Sequence, residues 1–259
     1  MSEHVHLDFT QEKYREICEA VVMSGYTTLT FKDYLQAQGL PHRFMLIRHD
    51  IDRNPGNALE IAAIENTYGI KSTYYFRRTR SVFKPKIIKS IERMGHEIGY
   101  HYEVLSKANG DPARAIKLFK EELEEFRKLC AVKSICMHGK PLSRQDNRDL
   151  WKYYNFKDYA ILGDAYLSAG ADLHYFSDTG RGWGRRNKIR DIMPGHREEV
   201  QINTTDELIR LIRARYIDRM YILVHPERWA FNDIEWALSF AQDILVNNGK
   251  RILTTVRTL

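Results

Sequence analysis

The sequence predicts an α/β fold in which parallel strands alternate with helices that pack outside them. Three observations support this prediction. Short apolar runs alternate with longer amphipathic stretches along the 259 residues. Glycines and N-cap residues stand at many of the boundaries between them. Acids and histidines follow the ends of several predicted strands. A closed barrel and an open doubly wound sheet both fit this pattern.

The elements can be justified in chain order. The first helix is amphipathic and stops before Gly25, two later helices stop before Gly69 and Gly95, and Asp111 caps the long central helix. Residues 142–195 give little signal apart from one strand. The predicted helices span 11–23, 55–68, 85–94, 112–129, 206–215 and 232–246. The predicted strands span 44–49, 72–76, 97–102, 134–137, 173–176 and 220–224.

Size and composition favour one large domain over two small ones, because 43% of the residues are hydrophobic and no linker-like tract interrupts the chain. No apolar run is long enough to span a membrane, and the N-terminus lacks a basic-then-apolar signal pattern. Three cysteines without a CxxC pair suit a reducing compartment. We therefore expect a cytoplasmic protein; the sequence gives no indication of its oligomeric state.

The chain is moderately basic, with a formal charge of +6 and a pI near 9.1. Much of the excess lies in residues 77–80 (RRTR) and 181–190 (RGWGRRNKIR). Such runs can attract phosphorylated substrates or other polyanions, or can simply be solvated surface. No helix-turn-helix, zinc-finger or RNP-type motif is present, so nucleic-acid binding is not predicted.

Asp50 and Asp52 are the most informative pair in the chain. They follow the apolar run 44–47, and because side chains alternate along a strand, both should project to the same side. Two neighbouring carboxylates repel unless a cation lies between them or one takes up a proton. A divalent metal with a general base beside it would satisfy both, and the adjacent His49 strengthens that interpretation. Alternatively, the two acids cap the helix that begins near Pro55.

Further candidates follow the other strands at the same edge. His101 and Glu103 follow the third strand, His138 the fourth, Asp178 the fifth and His225 the last. Because the carboxyl ends of parallel strands meet at one edge, these side chains should line one cavity at that edge.

Residues 95–101 (GHEIGYH) superficially resemble the zincin motif HExxH, but their two histidines are five residues apart instead of four. On a strand this odd separation places the two histidines on opposite faces. A metal site would therefore use His101, with Glu103 on the same face, and His96 would have a structural role.

Five segments together resemble the polysaccharide deacetylase family, which comprises metal-dependent N-deacetylases of chitooligosaccharides, peptidoglycan and related glycans. The resemblance covers roughly residues 44–228, and the motifs occur in the family's order. They are HDID at 49–52, STYYF at 72–76, GHEIGYH at 95–101, DTG at 178–180 with Trp183, and ILVHP at 222–226.

The resemblance implies a distorted, incomplete (β/α) barrel of about seven strands over residues 1–259, with residues 1–43 as an N-terminal helical extension packed on it. It also implies a hydrolase that removes an N-acyl group from an amino sugar with the help of a divalent ion, for which zinc is the first candidate. Asp50 would be the general base and His225 the general acid, and Asp52 and His101 would bind the metal. Asp178 and Trp183 would orient the base or wall the substrate pocket.

One departure from the family pattern qualifies this picture. The family's second ligand histidine would fall at Leu105, so either Glu103, His138 or water is the third ligand, or the metal is weakly bound or absent. We assign Glu103 to the metal, and we assign His49, His138 and Arg181 to substrate binding or orientation. A catalytically silent sugar-binding relative is the alternative to an enzyme.

The substrate is expected to be a saccharide. The two arginine-rich segments follow predicted strands at the same edge, and arginine suits phosphate. They therefore suggest an anionic substrate, phosphorylated, nucleotide-linked or lipid-diphosphate-linked, such as an internal enzyme would meet.

Overall fold

The computed structural model describes residues 7–139, 143–184, 191, 193 and 200–257, the last eight as helical backbone alone. Within these residues the chain folds as an α/β incomplete barrel. The strands are β1 (Thr27–Leu29), β2 (Phe44–Ile51), β3 (Thr73–Phe76), β4 (Glu97–Tyr102), β5 (Ser134–Met137), β6 (Gly163–Asp164), β7 (His174–Ser177) and β8 (Arg219–Val224). The helices are α1 (Gln11–Met23), α2 (Phe31–Gln36), α3 (Pro55–Thr67), α4 (Pro85–Arg93), α5 (Val104–Lys107), α6 (Pro112–Arg127), α7 (Thr205–Ala214) and α8 (Asp233–Arg257). Short 3₁₀ segments occupy Asn147–Lys152, Phe156–Tyr159 and Pro226–Arg228.

The sheet is parallel throughout and has the strand order β6-β5-β4-β3-β2-β8-β7, with β1 pairing beside β2. The strands curl into a half-barrel, which confirms the predicted fold class. The terminal strands β6 and β7 are not hydrogen-bonded to each other, so the barrel is open between them. Tyr166 and Tyr175 project from either side of this gap, and both hydroxyls donate to the carboxylate of Asp191.

Alternation along the strands separates two layers of core. On β2, Met45 and Ile47 pack outward, in one hydrophobic cluster with residues of α1, α3 and α7. Phe44 and Leu46 belong to the other cluster. Gly99 of β4 is required by packing, because a Cβ there would lie 2.3 Å from the ring of Tyr75.

Local signals explain several helix starts. Thr10 and Thr30 cap α1 and α2, and Asp111 caps α6 by accepting hydrogen bonds from two backbone amides. Thr204 and Glu207 form a reciprocal capping box at α7. In the described part of the chain, no helix combines the length and apolarity that crossing a membrane requires.

Candidate metal-binding and catalytic site

The site lies at the carboxyl edge of the sheet, where β2 ends. Arg48 and Asp50 have the parity opposite to that of Met45 and Ile47, so they lie on the inner side of the barrel. The side chain of Arg48 is 1% exposed, and its Nε lies 3.1 Å from Oδ1 of Asp50. It also donates hydrogen bonds to Oδ2 of Asp50 and to the hydroxyl of Tyr166. Arg48 therefore neutralises the charge of Asp50 and fixes the position of its carboxylate.

Asp52 stands where two imidazoles converge. Its Oδ1 lies 3.3 Å from Nε2 of His101 on β4 and 3.3 Å from Nε2 of His138 after β5. Nε2 of His101 also lies 3.7 Å from Oδ2 of Asp50. Residues that follow β2, β4 and β5 thus come together at one edge of the sheet, as the strand-end pattern predicts. Neither aspartate caps α3, since Asn54 holds the N-cap position and makes no side-chain capping bond.

The far nitrogen of each imidazole is held by a neighbour. Nδ1 of His101 lies 3.0 Å from the carbonyl oxygen of Cys136, and a carbonyl can only accept a proton. Nδ1 of His138 lies 3.2 Å from Oε2 of Glu103, an ion-pair contact whose geometry is not that of a hydrogen bond. Both contacts favour the proton on Nδ1, which leaves Nε2 of each ring to face Asp52 with a lone pair when the ring is neutral.

The negative charges of Asp52 and Glu103 favour a positive charge between them. Burial opposes charge on His138, but Asp52 and Glu103 outweigh it and raise the pKa of His138 to about 9. Burial likewise opposes charge on Asp52, yet His138 and His101 hold the pKa of Asp52 well below its usual range. Oδ1 of Asp52 is buried and has no hydrogen-bond partner among the described residues. A proton on His138 thus fills a role that a divalent ion could take over.

His225 faces the cavity from the end of β8. Its Nδ1 lies 2.6 Å from Oδ1 of Asp178, and its backbone N–H donates to Oδ2 of the same residue. Burial and Arg228 favour the neutral ring, but Asp178 outweighs them and raises the pKa of His225. Asp178 also accepts hydrogen bonds from Arg228 and from the indole of Trp229. Despite burial, these partners bring the pKa of Asp178 to about 2.

A cavity of about 320 Å³ joins these groups. Glu227 lines it with a buried Oε2 that has no hydrogen-bond partner among the described residues. Burial and the charge of Asp52 raise the pKa of Glu227 to about 7. The charged and titratable lining residues are Asp50, Asp52, Arg53, Arg77, His101, His138, Tyr166, Asp191, His225, Glu227, Arg228 and Asp243.

A second group overlaps the first. Asp50, His101 and Cys136 offer ligand atoms that all lie within 4.8 Å of one another. Burial raises the pKa of the Cys136 thiol well above its usual value, and Sγ lies 3.7 Å from both oxygens of Asp50. His101 is common to both groups, so a metal at this edge would involve His101 in either case.

The structure therefore brings Asp50, Asp52, His101, His138 and His225 to one cavity. Glu103 lies one step behind it, where Nη2 of Arg77 donates to both of its oxygens, at 2.9 and 3.0 Å. Asp178 likewise lies behind His225. Neither Glu103 nor Asp178 lines the cavity.

Three residues expected to contact substrate do not line the cavity. His49 has the parity of the outer face and pairs there with Glu65. Trp183 is 3% exposed, packs with Phe9 and Trp229, and donates its indole N–H to Thr205. Strand alternation places His49 on the outer face, and apolar packing keeps Trp183 in the core.

Arg181 is the third residue that does not line the cavity. Its guanidinium lies against α8. There it contacts Ser239 and Asp243 instead of the cavity. Residues 185–190 of the second arginine-rich run lie outside the described residues. Of the first run, 77–80, Arg77 lines the cavity.

Arg48, Arg53, Asp191 and Glu227 were not anticipated. Arg48 had a usable signal, because it lies two positions before Asp50 and must share its strand face. Asp191 lies in the stretch that gave little signal, and Glu227 belongs to a 3₁₀ turn whose inward direction only the fold decides.

No family model matches the chain, and no curated protein matches it. Three solved structures are similar in shape. A CE4 esterase from Streptococcus mutans covers 88% of this chain and 90% of its own, with 11% identity and a TM-score of 0.47. A CE4 family pseudoenzyme from Bacillus anthracis covers 83% and 66%, with 11% identity and a TM-score of 0.42. PdaA, a family 4 carbohydrate esterase from Bacillus subtilis, covers 90% and 82%, with 13% identity and a TM-score of 0.40. Similarity at this level does not define membership of a family, so the function must be argued from the site.

Proposed function

We propose that the chain is a metal-dependent hydrolase that removes an N-acyl group from an amino sugar. One observation carries the proposal: Asp52, His101 and His138 converge beside a carboxylate already neutralised by Arg48, in a cavity that also holds a histidine paired with an aspartate. A cation site, a base and an acid are the three parts of a metal-assisted amide hydrolysis, in which the acid is needed because the amine leaves poorly without a proton.

Two donor–donor distances in this set match those around a tetrahedral divalent ion. Ligands about 2.0–2.1 Å from zinc lie about 3.3–3.4 Å from one another in a tetrahedron. Oδ1 of Asp52 lies 3.3 Å from Nε2 of both histidines, which is that spacing. We therefore assign the third ligand to His138, one of the alternatives left open by Leu105. Glu103 then holds Nδ1 of His138 from behind, as carboxylates commonly do for ligand histidines.

The remaining residues have distinct roles in this proposal. When bound, a zinc-like ion would polarise the amide carbonyl and lower the pKa of water. Asp50, positioned by Arg48, accepts the proton that the attacking water loses. His225 donates a proton to the departing amine from Nε2, while Asp178 holds Nδ1 and favours the protonated ring. Glu227 and Arg53 lie where they can contact sugar hydroxyls.

The nature of the sugar is the finer part of the proposal. Arg77 and Arg53 line the cavity and suit an anionic group such as a phosphate or nucleotide, although both already pair with carboxylates. Arg77→Ala should raise KM for a phosphorylated N-acetylamino sugar more than for the neutral sugar. An equal effect on the two substrates would remove the anionic part and leave the hydrolase proposal intact. A cytoplasmic location stays a prediction of the sequence.

The decisive experiment measures metal and acetate together. We expect the purified chain to bind about one zinc, cobalt or nickel ion, and to release acetate from a panel of N-acetylated amino sugars and nucleotide sugars. Asp50→Asn should retain the metal and lose about 10²–10⁴-fold in kcat/KM, the usual contribution of a general base. Full activity of Asp50→Asn would exclude Asp50 as the base. A chain that binds metal and sugar without turnover would instead be the silent sugar-binding protein.

A further inference from the structure

Glu227 differs from the other buried carboxylates that the structure describes. Within the described residues the buried carboxylates are Asp50, Glu65, Glu97, Glu103, Asp164, Asp178, Glu227 and Asp243. All of them except Glu227 accept hydrogen bonds from side-chain or backbone donors. Glu227 accepts none from a described residue, although it lines the cavity. A buried carboxylate without donors is destabilising, and one that lines a cavity is a candidate for ligand binding.

The backbone around Glu227 is fixed. Glu227 is the central residue of the 3₁₀ turn Pro226–Arg228, in which the amide of Arg228 donates to the carbonyl of His225. The hydroxyl of Ser239 on α8 donates to the carbonyl of Glu227. The side chain of Glu227 is 4% exposed. Its carboxylate is therefore restricted in position before a ligand arrives, as a group that determines specificity must be.

The arginines whose charges act on Glu227 direct their hydrogen bonds to other carboxylates. Nη2 of Arg53 donates to Oδ1 of Asp243, and Nη1 of Arg228 donates to Oδ1 of Asp178. Nε of Arg53 lies 3.7 Å from Oε1 of Glu227, which is an ion-pair contact without a hydrogen bond. Positive charge beside Glu227 is thus already supplied, and the carboxylate lacks a hydrogen-bond donor. A neutral hydroxyl meets that need, whereas a further cation would be repelled by both arginines.

Glu227 also lies near the proposed reaction centre. Burial and the charge of Asp52 raise the pKa of Glu227, and the charge of His225 lowers it. Glu227 is therefore within electrostatic range of a proposed metal ligand and of the proposed acid. A sugar whose N-acyl group lies between those two residues would bring its hydroxyls to the same part of the cavity.

We propose that Glu227 determines sugar specificity by accepting a hydrogen bond from a hydroxyl of the amino sugar. This inference rests on the proposed function, which supplies the saccharide. A sugar that fills the cavity displaces water from Glu227 and must replace it with a donor of its own. A deoxy analogue that lacks the contacted hydroxyl leaves the carboxylate buried without a donor. The chain should therefore reject that analogue, as sites built to bind a hydroxyl do.

The test compares N-acetylglucosamine with its 3-, 4- and 6-deoxy analogues as substrates of the zinc-loaded chain. We expect kcat/KM to fall about 10–100-fold for one of these analogues. In Glu227→Met that preference should disappear, and in Glu227→Gln, which keeps an acceptor oxygen, part of it should remain. Glu60→Met, at an exposed position of α3, is the matched control and should keep the wild-type preference. A preference that is absent from wild type, or that Glu227→Met leaves unchanged, overturns the proposal.

Thermal unfolding distinguishes a binding role from a structural one. A carboxylate that accepts no hydrogen bond in the folded protein contributes little stability, so Glu227→Met should melt no lower than wild type. A clearly lower melting temperature would show that Glu227 stabilises the fold, and it would count against the proposal.

Binding and turnover together separate this proposal from the proposed function. Acetate release without a preference that depends on Glu227 would overturn the hydroxyl contact and leave the hydrolase intact. If no acetate is released, calorimetry makes the same comparison on dissociation constants. A preference in binding that depends on Glu227 would then support the contact without the hydrolase, and its absence would overturn both. Weaker binding of glucosamine alone in Glu227→Met would assign the carboxylate to the product amine and overturn the hydroxyl contact.

Discussion

Two histidine–carboxylate clusters lie on opposite faces of the same sheet, and they differ in how many hydrogen bonds their carboxylates accept. In the outer cluster, Glu65 accepts hydrogen bonds from Tyr14, Tyr74 and Ser72 and pairs with His49. The side chains of Glu65 and His49 are 0% exposed. In the inner cluster, Asp52 is 26% exposed and its Oδ1 has two imidazoles nearby but no hydrogen-bond partner among the described residues.

The difference separates structure from function. A buried carboxylate that accepts hydrogen bonds from several donors stabilises one conformation and has no free lone pair with which to bind a ligand. A carboxylate that faces two imidazoles at the edge of a cavity keeps a lone pair available. Residue type therefore does not distinguish the two clusters, but the number of hydrogen bonds that each carboxylate accepts does. The outer cluster should control stability, and the inner cluster should control metal binding and catalysis.

The largest expected effect is on the outer cluster. Glu65→Ala should lower the free energy of unfolding by about 3–5 kcal/mol, because it leaves buried partners without their carboxylate. Urea denaturation measures this, with the exposed Glu60→Ala on the same helix as the control, expected within about 0.5 kcal/mol of wild type. Comparable values for the two variants would mean that the outer cluster does not stabilise the fold.

Low pH should destabilise the fold through the same cluster. Burial opposes the charge of Glu65, but His49, His96 and Ser72 bring its pKa to about 2 from the usual 4.5. Because the folded pKa is the lower one, protons favour the unfolded chain. About 3 kcal/mol of stability, fully present above pH 4.5, should be lost as the pH falls toward 2. Unfolding curves over this range should show that loss in wild type and a smaller one in Glu65→Ala.

Substitutions in the inner cluster should distinguish a residue that binds the metal from a residue that positions it. His138→Ala should abolish stoichiometric metal binding, whereas Glu103→Gln should weaken it about 10–100-fold, the usual cost of losing a group behind a ligand histidine. Competition with a chromogenic chelator measures both affinities. The reverse ranking would make Glu103 the metal ligand, which is the role predicted for it from the sequence.

The smallest predicted effect is a displaced pH profile. Asp178 raises the pKa of His225, and a general acid must be protonated. Activity should therefore fall as the pH rises through the pKa of His225. In Asp178→Asn this alkaline limb should move to lower pH, with the acid limb unchanged. An unmoved alkaline limb would show that His225 does not act as the acid.

The longer elements of the fold were predictable because their patterns are local. The strands β2, β3, β4, β5, β7 and β8 lie within about two residues of their predicted bounds. The strands β1 and β6, with three and two residues, are too short to show alternation. The last helix was predicted to end at 246, but α8 continues to Arg257.

By itself the sequence determined which residues end each strand, and hence that Asp50, Asp52, His101, His138 and His225 meet at one edge. Parallel strands with helical crossovers leave no other place for them. Only the tertiary structure decided what each residue faces there. It put Arg48 against Asp50 and Glu103 behind His138, buried Trp183 in the core, and turned the apolar side of α8 to solvent. Such choices depend on neighbours distant in the chain, and local periodicity carries no information about them.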